Sequence, residues 1–173
     1  MKKIIYNKYL TRLVYIICLF LIGHTANAQN KVSNFSGTWL LNEDKCDFGR
    51  LTAASASKIR TLVIDQSAIT ITITSGDSTT KSSIVLNLDG KPSEQTVVTV
   101  INEIPNTSKK EAILKILTNT SFVSTMNDPV NMPSSSVKTY TISADGQMLT
   151  IEYKNMYGEQ LLAGKLVYDK KKG

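Results

Sequence analysis

Histidine is almost missing from this 173-residue chain: its one copy, His24, lies in the N-terminal segment. Beyond residue 24 there is no imidazole for a Ser–His triad or a His-based facial triad. Cysteine is nearly as scarce. Cys18 sits inside an apolar run, which leaves Cys46 without an internal disulfide partner. Asp44 and Asp47 flank that thiol, and neighbouring carboxylates disfavour a thiolate, so an inert side chain is expected. Gly-x-Ser-x-Gly, a Gly-rich phosphate loop and Cys-x-x-Cys are all lacking. Glu43, Asp44 and Asp47 cluster, but Lys45 and Arg50 offset them and the spacing fits no oxygen-ligand loop. Asp89 and Asp145 each precede Gly and read as turn formers. No catalytic residue, metal or cofactor is therefore expected, and the chain does not read as an enzyme.

Charge of one sign is lacking too. All four cations of the first 28 residues (Lys2, Lys3, Lys8 and Arg12) precede an apolar stretch, LVYIICLFLIG, and then Ala26-Asn27-Ala28. A basic start, a short apolar core and a small-residue site form the pattern of a secretory signal peptide, cleaved before Gln29. The apolar run is short of the roughly 20 residues of a spanning helix. An uncleaved anchor is the alternative. The sequence thus divides into a signal peptide, 1–28, and one domain, 29–173, secreted or periplasmic. Of the 20 Lys and Arg, 16 remain after residue 28, against all 14 acids, a net of +2. No clustered basic face supports a nucleic-acid partner. The Lys170-Lys171-Lys172 run reads as a solvated end.

What is abundant is Ile, Val and Thr, residues that suit a pleated, half-buried surface. Alternation predicts strands over 35–42, 59–65, 68–75, 80–88, 94–101, 111–118, 121–126, 136–142, 147–153 and 160–169. Turn residues separate them at Ser75-Gly76-Asp77, Asp89-Gly90, Pro105-Asn106-Thr107, Asn119-Thr120, Asp145-Gly146 and Tyr157-Gly158. Ile69, Ile71 and Ile73 share one face, as do Ile84, Leu86 and Leu88, and Leu149, Ile151 and Tyr153. One dry and one wet face is the antiparallel habit. LTAASASKI, 51–59, reads as a turn or two of helix or an ordered loop. NDPVNMPSSS, 127–136, holds two prolines and reads as an exposed loop. About ten short antiparallel strands must protect two edges, and closure does so. The expected fold is all-β, a single up-and-down barrel of about 8–10 strands, with a two-sheet sandwich as the alternative. The Thr, Ser and Lys of the other face argue against a membrane barrel, which would carry an apolar belt. No membrane span is expected in the mature chain.

Phe35-Ser36-Gly37-Thr38-Trp39 resembles the Gly-x-Trp signature of lipocalins and their calycin relatives. The wider FSGTWLLN, with Lys45 and Asp47-Phe48-Gly49, resembles the lipocalin-like domains of secreted bacterial proteins, many of unknown function. TISADGQMLTIEY and KLVYDKK are similar to the closing hairpins of that group. The resemblance implies that Trp39 closes one barrel end, that Gly37 admits a close neighbour, and that a cation packs on the indole. The family's usual Arg near the last strand is missing, which leaves Lys170, Lys171 or Arg60 for that place. Cys46 is a second departure, where related sequences more often carry Ser.

The resemblance also implies a small apolar or amphipathic ligand inside the barrel. Tyr140, Tyr153, Tyr157 and Tyr168 gather in the last strands, near Phe122 and Met126. Phe122, Met126, Tyr140, Tyr153 and Tyr168 are the pocket candidates, apolar with a few hydroxyls. The alternative is a filled core with no ligand, whose outer face or 127–136 loop engages a cell-surface protein partner. If Trp39 is the structural plug, Trp39→Ala should cost about 3–5 kcal/mol, read from thermal melting. An unchanged melting curve would remove the plug.

Overall fold

The computed structural model describes residues 32–50, 59–76, 81–101, 104–128 and 134–172. The expected signal peptide and nearly all of the 51–59 stretch lie outside the described residues. Ten strands follow in chain order: β1 (Gly37–Leu41), β2 (Thr61–Gln66), β3 (Thr70–Gly76), β4 (Lys81–Asn87), β5 (Ser93–Ile101), β6 (Ile104–Thr118), β7 (Ser121–Asp128), β8 (Ser134–Ile142), β9 (Met148–Tyr157) and β10 (Gln160–Lys170). All belong to one sheet in the order β4-β3-β2-β1-β10-β9-β8-β7-β6-β5. Each neighbouring pair in that order is antiparallel, and β1 pairs with β10 through Trp39 opposite Lys170. One sheet curled into a nearly closed barrel forms here, not the two-sheet sandwich.

The two free edges, β4 and β5, meet without a backbone ladder among the described residues. Gln95 takes the ladder's place. Its Oε1 accepts from the Val85 N–H at 3.1 Å, and its Nε2 donates to the Val85 carbonyl at 2.8 Å. The side-chain amide thus offers Val85 the donor and acceptor of a backbone peptide. Ser93 Oγ bonds the same carbonyl and accepts from Gln95 Nε2 at 3.0 Å. Gln95 is buried, and every buried side-chain N or O among the described residues has a hydrogen-bond partner.

Register sorts the side chains. Leu62, Ile64, Ile71, Ile73, Leu86, Leu114, Phe122, Ile151 and Leu166 share the inward face and are buried. Their alternates, such as Asp65, Glu111, Glu152 and Lys154, are exposed. Val167 is buried on the outward side, because the chain after β1 folds over it. The Asn42 N–H donates to its carbonyl at 2.8 Å, and its own N–H donates to Cys46 Sγ at 3.2 Å.

Three local expectations need correction. Pro105-Asn106-Thr107 is not a turn but part of β6, with Pro105 opposite Val100. The pairing of β6 with β7 begins only at Glu111. Among the described residues, Pro105 therefore has a strand neighbour on one side only, where a missing N–H is tolerated. Ile69 does not join Ile71 and Ile73 inside; it lies in the β2–β3 turn and is 73 % exposed. The 127–136 loop is shorter than expected, since Asn127 and Asp128 end β7 and Ser134–Ser136 begin β8. Residues 129–133 lie outside the described residues.

Gln95→Leu should test the seam. It deprives the partly buried Val85 peptide of its partner at the seam, at a cost of about 1 kcal/mol. Denaturant unfolding should show that loss, with faster hydrogen exchange at the Val85 amide. Unchanged exchange would mean that Gln95 does not close the edge.

Candidate functional site

The barrel interior is built in rungs, each a ring of inward residues opposite one another across β6–β10. The lowest rung holds Ile142, Leu149 and Tyr168. Above it come Ile116, Phe122, Tyr140, Ile151 and Leu166. These two rungs are buried except for half-buried Ile116, and they form a floor. The next rung holds Leu114, Ser124, Lys138, Tyr153 and Gly164, and the one above it Ala112, Met126, Ser136, Asn155 and Leu162. Here accessibility returns on the inward face: Lys138, Ser136, Asn155, Met126, Gly164 and Leu162 are half-buried.

The floor is plugged by aromatics. Trp39 is 0 % exposed, and its indole N–H donates to the Phe35 carbonyl at 3.1 Å. Phe35 meets Phe122 edge-on at 4.9 Å, and Phe122 stacks on Tyr140 at 4.7 Å. Such pairs contribute roughly 0.5–1.5 kcal/mol each beyond their burial. Of the cations named for the indole, Lys170 occupies the place, with Nζ 5.2 Å from the ring centroid. Gly37 makes room for it. A Cβ there would lie 2.8 Å from Lys170 Cε, and the backbone has φ +147°, which favours glycine. Arg60 instead pairs with Glu43 at 3.3 Å on the surface.

The pocket candidates all point inward but divide between levels. Phe122, Tyr140 and Tyr168 belong to the floor; Tyr153 and Met126 belong to the accessible rungs. The Tyr168 hydroxyl donates to the Ile59 carbonyl at 3.0 Å, and that of Tyr153 to the Phe48 carbonyl at 2.8 Å. Tyr153 lies across Gly164, where an added Cβ would come within 2.6 Å of its Cζ and of the Asp47 carbonyl. The segment after β1 is pinned to this spot by reciprocal backbone bonds between Asp47 and Lys165, at 2.8 and 2.7 Å. Cys46, half-buried, donates its thiol to the Asn42 carbonyl at 3.1 Å.

Sequence reasoning passed over Lys138, Ser124, Ser136 and Asn155. Their signal was only parity: each falls in phase with the buried residues of its own strand. Ser124 bonds Tyr140, and Ser136 donates to Asn155 at 2.7 Å. Lys138 has no ion-pair or hydrogen-bond partner among the described residues. Desolvation alone pulls its pKa below the usual lysine value. Burial pushes Tyr140 up to about 12, with the Ser124 bond acting the other way. Tyr168 is raised by burial, and Tyr153 by burial and then by the charges of Asp47 and Cys46.

A ten-stranded antiparallel sheet curled on itself with one plugged end is an up-and-down β-barrel. No protein-family model matches the chain, and no curated protein matches it in sequence. Among solved structures it is similar to the REP1-NXSQ fatty acid transporter, with TM-score 0.53 and 11 % identity over 80 % of this chain and 96 % of that one. It is also similar to the Schistosoma mansoni fatty acid binding protein in complex with arachidonic acid. That match has TM-score 0.55 and 12 % identity, over 82 % of this chain and 99 % of that one. At identities this low the likeness is one of fold.

The Lys138 environment makes a pH prediction. Stability rises with pH wherever the unfolded chain binds more protons than the folded one. For Lys138 that window runs from its lowered folded pKa up to the ordinary lysine value of 10.5. Lys138→Met should therefore stabilise the fold most at low pH, with the gain shrinking as pH rises through the window. Denaturant unfolding across pH reads this directly; a difference independent of pH would place Lys138 in water. Tyr140 acts in the opposite sense, losing stability between pH 10.0 and about 12.

Proposed function

We propose that the protein is an extracytoplasmic, non-catalytic carrier that binds a small apolar or amphipathic ligand inside its barrel. The observation that carries this reading is the change in the inner wall from a buried aromatic floor to half-buried residues above it. Inward-facing Leu162, Met126, Asn155, Ser136 and Lys138 stay accessible although their strands are fully paired. An inner-wall side chain keeps accessible surface only where the space beside it is unfilled. That wall mixes apolar surface with a few polar groups, the usual composition of small-molecule sites. The two similar barrels are by name a fatty acid transporter and a fatty acid binding protein, which supports ligand binding as the use of the fold. Export is supported by the basic, apolar and small-residue pattern of residues 1–28.

Titration with the fluorophore anilinonaphthalene sulfonate tests the reading. Saturable binding near one equivalent is expected, displaced by a long-chain alcohol. Met126→Trp and Leu162→Trp should weaken binding at least about tenfold by filling the wall, with little loss at the exposed Leu161→Trp control. Binding unaffected by both interior changes would favour the filled module acting through its outer face.

A further inference from the structure

Lys138 is the unexplained group of the interior. It stands between Ser124 on β7 and Tyr153 on β9, one rung above the aromatic floor. The hydroxyls around it are committed elsewhere. Ser124 bonds Tyr140, Ser136 bonds Asn155, and Tyr153 bonds the Phe48 carbonyl. No acid whose side chain is described forms a hydrogen bond or ion pair with it. Asp65, Glu94, Glu111 and Glu152 are on the exposed face, and Asp169 is held by Asn42 and Lys45. Asp128 lies opposite Ser134 at the end of β7, four residues along from Ser124. Of the other lysines in phase with the interior, Lys110 lies opposite Gln95 on β6, and Lys170 sits on Trp39.

An amine in this position has two uses. As an ammonium it would hold an anion, but a buried carboxylate needs several donors to satisfy its oxygens, and the Ser124, Ser136 and Tyr153 hydroxyls beside it are already paired. As a neutral amine it is a nucleophile toward carbonyl carbon, the role that desolvated lysines take. Enclosure within the barrel, with no charged partner among the described residues, favours the neutral form.

We propose that Lys138 captures an apolar aldehyde or ketone as a reversible imine within the barrel. The ε-amine lone pair forms the bond to the carbonyl carbon, and the C=O π pair moves to oxygen. The carbinolamine then loses water, which carries off the oxygen and both amine protons and leaves C=N. No oxidant or reductant takes part. The inference rests on the ligand reading above and specifies its ligand class: an apolar chain ending in a carbonyl.

The test incubates the protein with decanal near neutral pH, reduces it with borohydride and maps the adduct by peptide mass spectrometry. The expected result is one secondary-amine adduct on Lys138, at least about tenfold above any surface lysine. Each unit by which an amine's pKa falls raises its neutral fraction about tenfold. Lys138→Arg and Lys138→Met should lose the adduct yet still bind decanol, read by displacement of the fluorophore. Adducts spread evenly over surface lysines would overturn the proposal. So would protection of Lys138 by decanoate with no adduct from decanal, which would make the residue an anion site. If decanal labels Lys138 but decanol does not bind, the carrier reading falls and the capture site stands.

Discussion

Everything inside this protein depends on the closure of one sheet upon itself. Nine of the ten junctions in the ring are backbone ladders; the tenth, between β4 and β5, is made by the Gln95 side chain on the Val85 peptide. That amide does for one residue what a ladder does along a strand. Without it two edges would lie open to water and to other chains. With it, each strand has one dry face and one wet face, and the dry faces must fill or line a single interior.

That interior is graded along its axis. Trp39, Phe35, Phe122 and Tyr140 fill one end, and the first and last strands meet there through Trp39 and Lys170. One rung higher the wall becomes mixed, with Ser124, Lys138 and Tyr153 opposite Leu114 and Gly164. Gly164 has no side chain because Tyr153 and the Asp47 carbonyl occupy that space. Tyr153 in turn reaches the Phe48 carbonyl, so the segment following β1 is tied to the inner wall by one hydroxyl and to β10 by the Asp47 bonds. The proposed ligand site lies in the rungs above this floor.

Ten strands were legible because alternation is a local signal. Thr70 to Thr74, or Leu149 to Tyr153, announces its two faces within five residues. Trp39, a residue within β1, was legible as a plug through the resemblance of Phe35-Ser36-Gly37-Thr38-Trp39 to the lipocalin Gly-x-Trp signature. Local signals failed where a neighbour decides the outcome. Pro105 reads as a turn until it is seen that β7 does not reach it. Ile69 reads as core until the β2–β3 turn takes it out of register. Gln95 looks like an ordinary strand residue, and only the gap opposite it gives it a task. Lys138 is one Lys in a polar stretch, SSSVKTY, and its inward direction follows from Tyr140 two residues on. Charge in phase with a buried face was the available clue, and it carries meaning only once the barrel is closed.

The central claim is that accessible space lies above the aromatic floor, beside Lys138 and Met126. Diffraction from crystals soaked with a brominated long-chain alcohol tests it most directly, because anomalous scattering locates the bromine without regard to the head group. The account predicts bromine density inside the barrel, between the Phe122–Tyr140 floor and the Met126–Leu162 rung. Density found only on the outer surface, with a solid interior at that level, would contradict it.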